Sequence, residues 1–117
     1  MLKTLHKISS TLLAALGVVH TALTPIFYGR FTPGALWFAG SGLAMIFVGL
    51  LNLTLSRDVG RDRLVRIFCY AANLLTLGFG LLFVTLDQEP QVIFGLVLIV
   101  LMTTTAFTLG RARSNST

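Results

Sequence analysis

Polar side chains inside long apolar stretches are the residues of this chain that can carry chemistry. Burying such a group among lipid chains without a partner is costly, so each one marks either a packing contact or a functional site. No Asp or Glu lies in these stretches, and we predict no catalytic residue. The sequence does predict a lightly polar pocket, formed by His20, Thr24, Tyr28, Trp37, Ser41, Asn52, Asn73 and Thr76.

His20 has the widest chemical range of these residues. An intramembrane imidazole can ligate haem or a metal, pass a proton or bind a ligand. Haem held between two helices usually needs a second axial ligand, and the other histidine, His6, lies at the predicted cytoplasmic end of the same segment, out of reach. We expect a neutral His20 that is hydrogen-bonded to a neighbouring helix, with proton or ligand handling and cofactor ligation as the alternatives. Pro25 withholds an amide from the Thr21 carbonyl, and a kink there would open the pocket.

Asn52 and Asn73 are predicted to lie at similar depth on consecutive antiparallel segments. Their amides can then hydrogen-bond to each other, which would fix the register of the two helices. The alternative is a polar cavity that opens toward the cytoplasm.

The elements that position these residues are four apolar segments of membrane-spanning length. A span needs about 20 apolar residues at a rise of ~1.5 Å each. Residues 8–28, 35–55, 64–86 and 91–110 meet this requirement. The short connections between them predict an all-α, antiparallel four-helix bundle in which residues 1–117 form a single transmembrane domain.

Composition supports the same interpretation. The chain is 55% hydrophobic and 11% charged, with a mean hydropathy of +0.85, whereas soluble domains carry about 25% charged residues. Cys69 is the only cysteine, which excludes a disulfide scaffold and a zinc site built on cysteine pairs. We predict no metal site and no resident cofactor.

The basic residues predict the topology. Of the 9 Lys and Arg residues, all except Arg30 fall on one side of the predicted spans, and the positive-inside rule makes that side cytoplasmic. Both termini are therefore expected in the cytoplasm of a bacterial cell, with the spans in its inner membrane. Because the positive charge sorts by side, we expect it to contact anionic lipid and not nucleic acid. The repeated Arg-Asp pairs of loop 56–63 predict a solvated, self-paired turn, with a docking surface as the alternative.

The first segment resembles a secretory signal in its basic start and apolar run. Its best cleavage motif, His20-Thr21-Ala22, places a histidine where a small residue is preferred, and the apolar run continues to membrane length. We therefore expect the first helix to be retained.

Small residues at helical spacing predict faces where helices pack closely. These residues are Gly17, Gly40, Ala44, Gly49, Ala72 and Gly80.

Four stretches carry a resemblance: Leu-Gly-Val-Val-His at 16–20, Thr-Pro at 24–25, Leu-Trp-Phe-Ala-Gly-Ser-Gly-Leu at 36–43 and Gly-Leu-Leu-Asn at 49–52. They resemble small bacterial four-span inner-membrane proteins of unknown function, which implies a helical bundle and no catalytic residue. Four spans in this length also resemble the small multidrug resistance transporters, but their glutamate in the first helix is absent. The channel motifs of fluoride channels and the cysteine pairs of thiol-redox quinone reductases are absent as well.

Function is expected to rest on helix association in the bilayer and not on enzymatic activity. The protein would act as a homo-oligomer or as an accessory subunit of a membrane complex. The alternative is a small dimeric transporter or channel for a neutral or weakly charged solute, with its polar path near His20. A third hypothesis is a membrane subunit that binds haem or quinone.

Overall fold

The computed structural model describes residues 1–116. Helices are the only regular secondary structure in these residues. A short 3-10 turn, Asp58–Arg61, joins the second and third of four long helices. The long helices are α1 (Leu2–Phe27), α2 (Pro33–Leu55), α3 (Arg63–Val84) and α4 (Pro90–Ser114). Each is long and apolar enough to cross a bilayer. The chain is therefore a small multi-pass membrane protein, and the prediction of four spanning helices is confirmed.

The helices extend beyond the predicted spans at the end of the bundle that carries both termini. α1 begins at Leu2 and not at residue 8, and α4 continues to Ser114 and not 110. Hydropathy marks only the part of a helix that lipid surrounds, while helix formation continues through polar residues with good helix propensity. The predicted start of the first helix was wrong. Because α1 begins at Leu2, it includes His6, which is buried inside the bundle.

Two of the four long helices, α2 and α3, begin with a side-chain cap. The Thr32 hydroxyl accepts a hydrogen bond from the Ala35 amide at 3.1 Å, and Pro33 opens α2. The Asp62 carboxylate accepts from the amides of Leu64 and Val65 at 2.7 and 3.2 Å, which caps α3.

The four helices do not form an evenly closed ring. α1 packs along α2 and also against α4, α4 packs against α3, and the contact between α2 and α3 is much smaller. α4 is the most buried helix, whereas only Cys69 and Asn73 are buried on α3. The contact line between α2 and α3, here called the α2–α3 seam, is the weakest boundary of the bundle.

Glycines allow α1 and α2 to approach at backbone distance. A Cβ on Gly17 would lie 2.5 Å from the Gly42 carbonyl oxygen, and one on Gly49 would lie 2.7 Å from the Ser10 carbonyl oxygen. The small-residue positions Gly17 and Gly49 therefore serve packing within one chain.

Candidate functional site

A cavity of about 160 Å³ lies between the four helices, in the half of the bundle opposite the two termini. Its polar lining comes from His20 on α1, Ser41 on α2, Thr76 on α3 and Gln91 at the start of α4. The rest of the wall is largely apolar. A cavity of this size holds a group about as large as benzene. We take it as the candidate site because it is where polar and apolar side chains of all four helices meet.

His20 is held against α2 by two contacts. Its ring stacks on Phe38 with 3.8 Å between ring centroids. Its Nε2 lies 3.0 Å from the Ser41 hydroxyl, which itself donates to the Phe38 carbonyl at 2.7 Å. Because Ser41 has only one proton to donate, the Nε2–H of His20 donates to Ser41. The predicted hydrogen bond between His20 and a neighbouring helix is therefore present.

The structure separates the eight predicted pocket residues. His20, Ser41 and Thr76 line the cavity, and the Thr76 hydroxyl also donates to the Ala72 carbonyl at 2.7 Å. Tyr28 packs beside Phe38 at a centroid distance of 5.5 Å. Trp37 is 81% exposed on the outer surface.

Thr24 keeps a buried hydroxyl with no hydrogen-bond partner among residues 1–116. Pro25, expected to kink the helix beside it, lies within α1 close to its end at Phe27.

Asn52 and Asn73 lie outside the cavity, fully buried in the other half of the bundle. Asn52 Nδ2 donates to Asn73 Oδ1 at 2.6 Å, and Asn73 Nδ2 donates to Asn52 Oδ1 at 2.9 Å. Asn52 Nδ2 also lies 2.9 Å from the Val48 carbonyl oxygen. The amide pair joins α2 to α3, as the similar depth of the two residues predicts. Neither residue lines the cavity beside His20, so the predicted pocket does not include them.

His6, which the sequence predicts to lie outside any site, completes this buried group. It is fully buried. Its Nε2 donates to the Asn52 carbonyl at 3.0 Å, and its Nδ1 lies 2.8 Å from the Thr105 hydroxyl. His6, Asn52, Asn73 and Thr105, called here the polar cluster, therefore connect all four helices at one level.

A signal for His6 was present in the sequence. His6, Ser10, Leu13, Gly17 and His20 recur at intervals of three and four, so they continue one stripe of α1. The structure buries Ser10, whose hydroxyl donates to the His6 carbonyl at 2.7 Å. The apolar stretch by itself begins at residue 8, so it predicts a helix that excludes His6 from this stripe.

Thr105 can serve the cluster in two ways. Its hydroxyl oxygen lies 2.7 Å from the Leu101 carbonyl as well as 2.8 Å from His6 Nδ1. The single hydroxyl proton satisfies one of these acceptors at a time. With neutral His6 the proton points to Nδ1, and with a protonated ring it points to Leu101. Both ring nitrogens of His6 are engaged, so ligation of haem by His6 would break one of these bonds.

The predicted packing residues divide between interior and surface. A Cβ on Gly80 would lie 3.2 Å from Leu96 Cδ1, which places Gly80 at the contact between α3 and α4. Gly40 has open space on its outer side, with no atom within 4 Å of an added Cβ. Ala44, one turn later on α2, is exposed and lines the cavity. Ala72 is half-buried.

Comparison with protein-family models, with curated proteins and with solved structures finds no match to this chain. The four long apolar helices fit a small four-span membrane protein.

Proposed function

We propose that this protein is a non-enzymatic four-helix protein of the bacterial inner membrane that works by associating in the bilayer. The associating face is the outer side of α2 around Gly40 and Ala44, and its occupant is a second copy of the chain. Association with a different membrane subunit through the same face is the accessory-subunit form of the proposal.

One observation carries this proposal: Gly40 and Ala44 form a small-residue pair, spaced by four, that remains on the outside of the bundle. Gly17, Gly49 and Gly80 meet other helices of the same chain. Small residues at this spacing let transmembrane helices approach closely. Because Ala44 also lines the cavity, a helix lying on this face would cover the open side of the α2–α3 seam.

The test compares Gly40→Leu with Gly78→Leu. Neither added side chain meets an atom of the chain within 4 Å at its Cβ, so both variants are expected to fold. At ~100° per residue, Gly78 lies nearly opposite the cavity-lining Thr76 and Gly80 on α3. Native mass spectrometry from mild detergent should show a homodimer for the wild type and for Gly78→Leu, and a monomer for Gly40→Leu. A wild type that is monomeric and free of companion chains would contradict the proposal.

A second candidate function is a small dimeric transporter for a neutral or weakly charged solute. The observation that favours it is the position of His20 and Ser41 in the wall of the cavity. The closed polar cluster, which does not line this cavity, would then separate the site from the other face of the membrane. Efflux of glycerol and of methylamine from proteoliposomes should fall in His20→Ala. Equal flux in the wild type and in this variant would remove this candidate.

The same native mass spectra test the third hypothesis, since retained haem or quinone appears as an added mass. Haem would also give a visible absorption band.

A further inference from the structure

A second cavity, of about 250 Å³, opens at the end of the bundle that carries both termini. It is lined by Arg61 of the 3-10 turn, Arg66 of α3 and Arg113 of α4, together with Ser114 and Ser116. We call it the arginine pocket. Its residues come from three separate parts of the chain, which only the folded bundle brings together.

Two of the arginines are half-buried, and one of them is held in place by a hydrogen bond. Arg113 is half-buried, and its Nη1 donates to the Leu55 carbonyl at the end of α2 at 2.7 Å. A Cβ on Gly60 would lie 2.5 Å from the same nitrogen, so the glycine gives the guanidinium room to reach Leu55. Arg66 is half-buried as well. Holding the Arg113 guanidinium in advance lowers the entropy lost when an anion binds.

The positive charge of the pocket is not neutralised within the described chain. No carboxylate lines the pocket, and residues 1–116 contain no ion pair within 4.0 Å. The nearby Asp62 is engaged at the start of α3, where its carboxylate accepts from the amides of Leu64 and Val65. Asp62 caps a helix and does not pair with an arginine of loop 56–63, so the expected self-pairing is not formed at this residue.

Three guanidinium groups around one concave site match a phosphate group. Arginine presents a planar fork of donors that binds phosphate oxygens in pairs. The α3 residue that lines the pocket is Arg66, which lies in the first turn of the helix, where charged sequence gives way to apolar sequence. That is the level at which lipid phosphates lie beside a transmembrane helix.

We propose that the arginine pocket binds a phosphate group, carried either by an anionic phospholipid headgroup or by a free phosphate ion. Arg61, Arg66 and Arg113 supply the positive charge, and Arg113 also fixes the shape of the site through Leu55. The site is separate from the α2 face and from the His20 cavity, so it stands whether or not the proposed function holds.

The lipid source is tested by native mass spectrometry of detergent-purified protein, titrated with phosphatidylglycerol or with phosphatidylcholine. The variant is Arg61→Gln/Arg66→Gln, which leaves the Arg113–Leu55 bond intact. The matched control is Arg57→Gln/Arg111→Gln, which removes two exposed charges at the same end but none from the pocket. Wild type and control should retain phosphatidylglycerol in preference to phosphatidylcholine, and the pocket variant should lose that retention by about tenfold.

The free-ion source is tested by titrating the same three proteins with inorganic phosphate at constant ionic strength, with ³¹P linewidth as the signal. Phosphate binding that the pocket variant loses and the control keeps, without selective lipid retention, assigns the site to a free phosphate. Circular dichroism and gel filtration confirm that the variants are folded. Equal behaviour of pocket variant and control in both titrations, or binding of neither probe by the wild type, would overturn the proposal.

Discussion

The Nε2–H of His6 donates to the backbone carbonyl of Asn52 at 3.0 Å, although the two residues lie on different helices. The same Asn52 exchanges two side-chain hydrogen bonds with Asn73 of α3. Thr105 of α4 meets the other nitrogen of the His6 ring. One level of the bundle is thus joined by polar contacts, while the cavity occupies another. This division makes the polar cluster the natural place to test stability, and the His20 cavity and the outer face of α2 the places to test function.

The asparagine pair should show strong coupling. Asn52→Leu or Asn73→Leu alone leaves one buried amide without its partner, and we expect each to lower the free energy of unfolding by about 1–2 kcal/mol. The double variant removes both amides and should be less destabilised than the sum of the two single variants. Reversible unfolding in mixed micelles of detergent and SDS measures these values. Additive losses would show that the two amides do not act as a pair.

Loss of His6 should destabilise the bundle, although it lies near the start of the chain. His6→Leu removes the bonds to Asn52 and Thr105 at a fully buried position, and we expect a loss of about 1–3 kcal/mol. The neighbouring Lys7 is exposed, so Lys7→Leu should change stability by less than about 0.5 kcal/mol. The same micelle titration compares the two variants. Equal stability of His6→Leu and wild type would mean that the cluster contributes nothing to the fold.

Two glycines on neighbouring helices should respond in opposite ways to alanine. Gly17→Ala places a Cβ 2.5 Å from the Gly42 carbonyl oxygen, and the backbones must separate. We expect a loss of about 1–3 kcal/mol. Gly40→Ala enters open space and gains helix propensity, so its monomer stability should be unchanged or higher by up to about 1 kcal/mol. Thermal unfolding followed by circular dichroism ranks the two variants, and the reverse order would contradict the close α1–α2 contact.

The topology proposal predicts the signals of two fusion reporters. Green fluorescent protein fused after the last residue should fluoresce, because it folds in the cytoplasm. Alkaline phosphatase inserted directly after Gln88 should be active, because the loop that contains this residue is expected on the outer side. A dark C-terminal fusion together with an inactive loop insertion would reverse the orientation proposed from the basic residues.

The sequence by itself determined the class of this protein and the number of its spans. Long apolar stretches with polar turns between them leave the backbone no alternative to membrane-spanning helices, since every amide must be satisfied within the bilayer. The Asn52–Asn73 contact was also foreseeable, because two antiparallel helices joined by a short loop bring residues of equal depth together.

Only the tertiary structure decided which polar residues share a site. Trp37 and Ser41 lie one turn apart on α2, yet Ser41 lines the cavity and Trp37 is exposed, because side-chain orientation and neighbour order depend on packing across the whole bundle. His6 entered the interior because α1 extends beyond its apolar stretch. The arginine pocket needed the fold as well, since Arg61 and Arg113 are distant in sequence and meet only when α4 packs beside the turn after α2.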